Sequence, residues 1–163
     1  MFFMGSNKTV IIYTDGSCLG NPGSGGWAAL LVYGAHRREL SGGFALTTNN
    51  RMELTGAIMG LQALTKPCQV ELYTDSRYLC DAVNKNWLKS WQARGWKKAD
   101  KKEVLNRDLW ERLLPLLDAY NPSLHWVKGH SGHPENERVD KLAQAEAAKP
   151  ALPQDEGFAL CGE

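Results

Sequence analysis

Tyr13-Thr14-Asp15 and Tyr73-Thr74-Asp75 each close a short apolar, β-branched run, Thr9 to Thr14 and Val70 to Thr74, and each acid is followed by a turn former, Gly16 or Ser76. Two strands that end alike, with a helical pattern between them, constrain the fold more than any other feature of the chain. In open α/β sheets ligands sit beyond the C-terminal ends of parallel strands, so side-by-side pairing would put both carboxylates in one crevice. Bringing two anions together is unfavourable unless a cation or a proton offsets it. A chain that arranges this is expected to bind something there.

The remaining elements read as α/β around these two runs. A glycine-rich turn over 20–26 leads to a second strand, Trp27 to Tyr33, and a third, Arg37 to Leu46, which predicts an antiparallel meander. Arg51 to Thr65 has helical spacing, with Leu54, Ala57, Ile58 and Leu61 on one face and Pro67 beyond its end. Ser76 is placed to cap a helix through Val83. Asn106 can cap another carrying Leu109, Trp110, Leu113 and Leu117, which Pro115 is expected to kink or end early. Leu124 to Lys128 is a fifth strand, and Pro134 opens a last helix to about Ala148. Strands first and strand–helix alternation afterwards predict a mixed sheet flanked by helices. Residues 1–7 read as an extension, 8–148 as one domain, and 149–163, with Pro150, Pro153 and Gly157, as a mobile tail.

Length and composition exclude several classes. At 163 residues, 43% hydrophobic and 23% charged, the chain suits one soluble domain rather than a disordered tail or a polycation. No apolar run approaches the roughly 20 residues of a membrane helix. Met1-Phe2-Phe3-Met4-Gly5 has no charged leader or long apolar stretch, so no secretory signal and a cytoplasmic location are expected. The cysteines, Cys18, Cys68, Cys80 and Cys161, lack metal-binding spacing and read as reduced, mostly buried thiols. The net charge of +1 hides an uneven distribution: Lys85 to Lys102 holds seven cations and one anion, leaving the rest at −5. A basic patch on an acidic remainder points to an anionic partner beside a cation site.

Two further acids join the pair. Glu53 lies in a first helical turn above a small-residue strip, Gly56 and Gly60, which permits close approach of another element but is equally compatible with plain helix–sheet packing. Asp140 lies early in the last helix, where most acids are solvated. Four carboxylates without a cysteine are hard ligands suited to Mg²⁺ or Mn²⁺, and can hold two ions about 3.5–4 Å apart as in two-metal phosphoryl transfer. His130 and His133 have no third ligand spaced for zinc. His130, between Gly129 and Ser131, suits proton transfer or product release, and His133 suits a structural contact at a helix start. Trp87, Trp91 and Trp96 alternate with Lys89, Arg94, Lys97 and Lys98. That pattern fits a surface that follows a phosphate backbone, and also a seam that fastens a projecting helix to the body.

Taken in order, Tyr13–Gly23, Thr48-Asn49-Asn50-Arg51-Met52-Glu53-Leu54, Thr74-Asp75-Ser76 and Trp126–Asp140 resemble bacterial type 1 ribonuclease H over roughly residues 8 to 148. The resemblance implies a ribonuclease H-like five-stranded mixed sheet and hydrolysis of the RNA strand of RNA–DNA hybrids. It further implies that Asp15, Glu53, Asp75 and Asp140 bind two Mg²⁺ ions with Asp15 bridging, and that the loop at His130 is catalytic. The segment from Trp87 to Lys102 resembles a basic protrusion that grips the DNA strand. Cys18, Asn21, Asn49 and Asn50 fall along the minor groove and Thr48 at a DNA phosphate. Arg77 stands where glutamine is frequent, Leu46 where some members have arginine and Ser90 where asparagine is common; Arg77 is counted with the substrate contacts. The mechanism implied is water attack leaving 5′-phosphate and 3′-hydroxyl ends, by a monomer. The alternatives are a hybrid-binding module that does not cut, which would have lost metal carboxylates, and a DNA-strand-transfer nuclease of the same fold.

Overall fold

The computed structural model describes residues 8–129 and 132–161. Strands β1 (Thr9–Leu19), β2 (Gly23–Tyr33) and β3 (His36–Thr47) form an antiparallel meander, followed by helix α1 (Asn49–Gln62) and strand β4 (Gln69–Thr74). Helices α2 (Arg77–Asn84), α3 (Trp87–Ala93) and α4 (Arg107–Tyr120) come next, then strand β5 (Ser123–Trp126) and helices α5 (Pro134–Ala147) and α6 (Glu156–Cys161). The sheet order is β3-β2-β1-β4-β5, with β1, β4 and β5 parallel. This is the expected mixed five-stranded sheet, and the register pairs Thr14 with Thr74, so the two Thr-Asp ends are neighbours.

Side chains alternate across the sheet as the pleat requires. Ile12, Ala29, Leu31 and Leu72 pack with Leu54, Ile58 and Leu61 of α1 and with Trp110 and Leu113 of α4. Ala28 and Leu30 face the other way, onto Val139 and Ala143 of α5. Helix α1, expected to bury one face, is buried on nearly every side because it lies between the sheet and α4. No helix among the described residues is long and apolar enough to cross a membrane.

Four local expectations differ from the structure. The glycines at 23–26 belong to β2 rather than to a turn: Gly25 pairs with Cys18, and a Cβ on Gly26 would collide with the Ala143 carbonyl of α5. Gly26 admits α5 onto the strand. Pro115 does not end α4, which runs on to Tyr120; it lies on the exposed side, where water can take the freed carbonyl, while Leu109, Trp110 and Leu113 anchor the other side. Asn106 occupies the cap position with φ 63° but makes no side-chain cap bond. Instead its side chain donates to the Tyr78 hydroxyl (3.3 Å) and accepts from Arg51 Nη1 (3.4 Å).

The fourth difference is the tail. The segment expected to be mobile folds back along the edge strand: the Ala45 amide donates to the Pro153 carbonyl at 2.8 Å, and Asp155 reaches Arg51. Arg51, 1% exposed, donates to Asp155 through Nε (2.7 Å) and Nη2 (3.0 Å), and to Asp108 through Nη1 (2.8 Å) and Nη2 (2.7 Å). The Thr47 hydroxyl also donates to Asp155, at 2.7 Å. A buried guanidinium must be matched by anions, and one of its two comes from the tail.

Burial tends to raise the Asp108 pKa, but the Arg51 hydrogen bonds and charge outweigh it and hold the carboxyl below its ordinary value. That contribution to stability is present above the unfolded carboxylate pKa and is lost as pH falls through the lower folded value. Asp155→Ala leaves Arg51 half-matched in the interior and is expected to destabilise the fold by about 2–4 kcal/mol, read from urea unfolding. A change under about 0.5 kcal/mol would mean that the tail is a passenger.

Candidate active site

Parallel pairing of β1 with β4 brings Asp15 beside Asp75, and the first turn of α1 lowers Glu53 onto them. That approach depends on Gly16, where a Cβ would overlap the α1 backbone at Met52 and Glu53, and on Gly56, where a Cβ would stand 3.2 Å from the Asp15 carbonyl. Thr48 starts the helix: its hydroxyl accepts from the Arg51 amide at 3.2 Å. Ser76 caps α2 in the same way, accepting from the Leu79 amide at 3.1 Å.

Each of Asp15, Glu53 and Asp75 offers a carboxylate oxygen within 4.8 Å of the other two. Asp15 and Glu53 are only 5% and 8% exposed. Burial, then the Asp75 charge, pushes the Asp15 carboxyl up to about 8, against the Gly16 amide, which donates to it at 2.8 Å. Burial and the two aspartates raise Glu53 well above its ordinary value. Glu53 Oε2 is buried without a hydrogen-bond partner among the described residues. An unpaired buried oxygen beside two more carboxylates is a fit for a hard divalent cation. Asp140, from α5, lines the same groove without joining the close triad, and accepts from Gln144 Nε2 at 3.0 Å.

The groove collects further residues predicted from the sequence. Cys18, Asn49, Asn50 and Arg77 line it with the acids. Asn21 joins through its side-chain oxygen, which accepts from the Asn49 amide at 3.2 Å and ties the β1–β2 turn to the head of α1. Thr48, buried at the start of α1, caps the helix that carries Asn49 and Asn50. His133 takes the position before α5 but makes no cap bond; it lines a small cavity with Asp15, Asp75 and Asp140. His130 lies outside the described residues.

In the basic segment the tryptophans divide between the two readings. Trp91 and Trp96 are half-buried against the core, Trp91 edge-on to Trp110 at 5.6 Å, while Trp87 is 40% exposed. Lys89, Arg94 and Lys97 are exposed and Lys98 is partly so. Trp126, to which the spacing arguments assign no role, proves to be a site residue: its indole N–H donates to the Asp75 carbonyl at 3.0 Å. Its signal was position, since it ends the strand next to β4.

At pH 7 the Asp15 carboxyl of the metal-free protein resists ionisation, whereas in the unfolded chain it ionises near its ordinary 3.8. A raised folded pKa contributes stability that is full below the unfolded value and lost as pH rises toward about 8. Asp15→Asn should therefore make the metal-free protein more stable at pH 7, by on the order of 2 kcal/mol, and flatten the decline between about pH 4 and 8. Thermal unfolding in chelator across that range checks it; an unchanged or lower midpoint would count against electrostatic strain at the site.

Comparisons with known proteins agree with this geometry. The RNase H family model matches residues 7–148. The Ribonuclease H of Nitratidesulfovibrio vulgaris (strain DP4) is 61% identical over 153 residues, covering 94% of this chain and 98% of that protein. The Ribonuclease H of Thermus thermophilus is 58% identical over 151 residues, covering 90% of this chain and 91% of that protein. Among solved structures, LC9-RNase H1, described as a type 1 RNase H with the type 2 active-site motif, superposes with a TM-score of 0.76 at 32% identity, over 86% of this chain and 72% of that one. With the sheet, the carboxylate crevice and these likenesses in agreement, the chain belongs to the ribonuclease H family of hydrolases.

Proposed function

We propose that the chain is a cytoplasmic, monomeric endonuclease that hydrolyses the RNA strand of RNA–DNA hybrids with two Mg²⁺ ions, or Mn²⁺ in their place, leaving 5′-phosphate and 3′-hydroxyl ends. The observation that carries this reading is the close triad of Asp15, Glu53 and Asp75, the first two buried, with Asp140 at its edge, in a chain of the ribonuclease H family. A bound metal pair supplies an activated water and offsets charge at the departing 3′ oxygen. Asp15, Glu53, Asp75 and Asp140 would hold the ions, and Asp15, which feels the charges of both Asp75 and Asp140, would be central to that set. A hybrid-binding module that does not cut would have no use for three carboxylates crowded together with two of them out of water.

Around that centre the residues divide the work. Cys18, Asn21, Asn49 and Asn50 place neutral polar groups along the groove, suited to reading the 2′-hydroxyls that distinguish RNA from DNA. Residues 85–102 form the basic protrusion, in which Lys89, Arg94, Lys97 and Lys98, with exposed Trp87, hold the DNA strand; Trp91 and Trp96 fix the protrusion to the core. His130 assists proton transfer or product exit, so His130→Ala slows turnover and leaves metal affinity intact.

End-labelled RNA–DNA hybrid, RNA–RNA and DNA–DNA duplexes, each with Mg²⁺ or with chelator, test the reading. The expected result is metal-dependent cutting of the hybrid's RNA strand alone, with 5′-phosphate products, and a loss of at least about a thousandfold in Asp75→Asn. Tight binding of the hybrid without cutting under Mg²⁺ or Mn²⁺ would favour the binding module.

A further inference from the structure

The C-terminal segment meets the groove from behind, at the junction of β3 and α1. Asp155 Oδ2 accepts from two groups at once, the Thr47 hydroxyl at 2.7 Å and Arg51 Nε at 2.7 Å. Thr47 ends β3 and Arg51 lies in the first turn of α1, so a single oxygen joins the residues on either side of Thr48-Asn49-Asn50. Pairing with the guanidinium alone would not require the Thr47 bond. The same segment holds the strand two residues earlier, where the Ala45 amide donates to the Pro153 carbonyl. Its approach is close, because a Cβ on Gly157 would overlap Asp108 Oδ2 and Arg51 Nη2. The Asp155 side chain is only 9% exposed, whereas Asn49 is exposed and Asn50 half-buried in the wall of the groove. The turn is thus gripped from inside the protein while its asparagines line the groove.

We infer that Asp155 is a positioning residue for substrate recognition: its clasp on Thr47 and Arg51 sets the turn that presents Asn49 and Asn50, so the C-terminal segment governs how tightly an RNA–DNA hybrid is held without touching it. The inference rests on the hybrid-nuclease reading and adds a residue that acts through the groove rather than in it. Hydrogen bonds weaken steeply with misalignment, and short amide side chains have little reach to correct a displaced backbone. A turn fixed at both ends before the substrate arrives also loses less freedom on binding. From the groove side the turn is tied by the Asn21 oxygen, which accepts from the Asn49 amide, and by the Cys18 thiol, which donates to the Thr47 carbonyl at 3.4 Å. Each of those bonds holds one point, whereas Asp155 spans the turn from end to end. Glu53, one half-turn further along α1, is held by the close packing of the helix on Gly16. Loss of the clasp should therefore reach binding before chemistry.

The test compares wild type, Asp155→Asn, Thr47→Val, their double variant, Gly157→Ala and Val70→Ala, the last a core truncation at the end of β4 away from the groove. Steady-state cleavage of a labelled hybrid is followed at saturating Mg²⁺, at a temperature where unfolding curves show every variant folded. Asp155→Asn is expected to raise KM about fivefold with kcat within about twofold. Thr47→Val keeps the Asp155–Arg51 pair and removes only the hydroxyl, so it should raise KM about threefold even if Asp155→Asn fails to fold. Gly157→Ala, which pushes the segment off Arg51 without removing a charge, should raise KM in the same way. In the double variant KM should rise no further than in Asp155→Asn, the signature of residues acting as one unit. The inhibition constant of a DNA–DNA duplex, which offers phosphates but no 2′-hydroxyls, should stay within about twofold of wild type. Val70→Ala should lower Tm and leave KM unchanged. A wild-type KM in Asp155→Asn and Thr47→Val, or a rise in Val70→Ala as large as theirs, would overturn the inference while wild-type cleavage stands. Failure of the wild type to cut the hybrid would remove the hybrid-nuclease reading and this inference together.

Discussion

Mutual repulsion among three crowded carboxylates, two of them buried, is the constraint on which the rest of the structure depends. Asp15, Glu53 and Asp75 come from two parallel strand ends and a helix, and each element delivers its acid to a point where an apolar or neutral residue would be more stable. The glycine at 16, which lets α1 descend onto β1, and the caps Thr48 and Ser76, which set where α1 and α2 begin, serve that delivery. The orphaned Glu53 Oε2 shows that the protein's own described groups do not complete the cluster. A divalent cation would complete it, and strain of this kind at a site is expected where function has been set against stability.

The opposite arrangement lies next door. Arg51, two residues before Glu53, is as buried as the acids, yet each of its carboxylate partners makes two hydrogen bonds with it. It ties the first turn of α1 to the head of α4 and to the C-terminal segment. The same helix turn thus carries one fully matched charge and one unmatched charge. Matched ions hold the helix where the unmatched acid must stand, a division of labour between stability and chemistry within three residues of sequence.

Local pattern was a good guide where a structural choice depended on neighbours in the chain. The two Thr-Asp strand ends, the Ser76 cap, the opening of α5 at Pro134 and the small strip at Gly56 and Gly60 all follow from spacing and residue type, and the structure has them. Non-local pairing was not legible. Asp155 sits among prolines and a glycine that read as loose chain, and its partner Arg51 is 104 residues away. Gly26 looks like part of a turn because the helix that requires it, α5, comes more than 100 residues later. Asn106 shows the converse: it had the right type for a cap but turned inward. Trp126 illustrates a third limit, since only the pairing of β5 with β4 reveals that its N–H supports Asp75.

The most direct test of this account is the proton balance of metal binding. With the Asp15 carboxyl pushed up to about 8, the metal-free cluster holds a proton at pH 7 that a cation must displace. Calorimetric titration of Mg²⁺ or Mn²⁺ at pH 7, repeated in buffers of different ionisation enthalpy, measures that number. The account predicts net proton release at pH 7 that diminishes as the pH is raised past about 8 and is smaller in Asp15→Asn. Binding with no proton released at pH 7 would contradict it, because the carboxylates would then be ionised together without a cation, and the repulsion at the centre of this description would not exist.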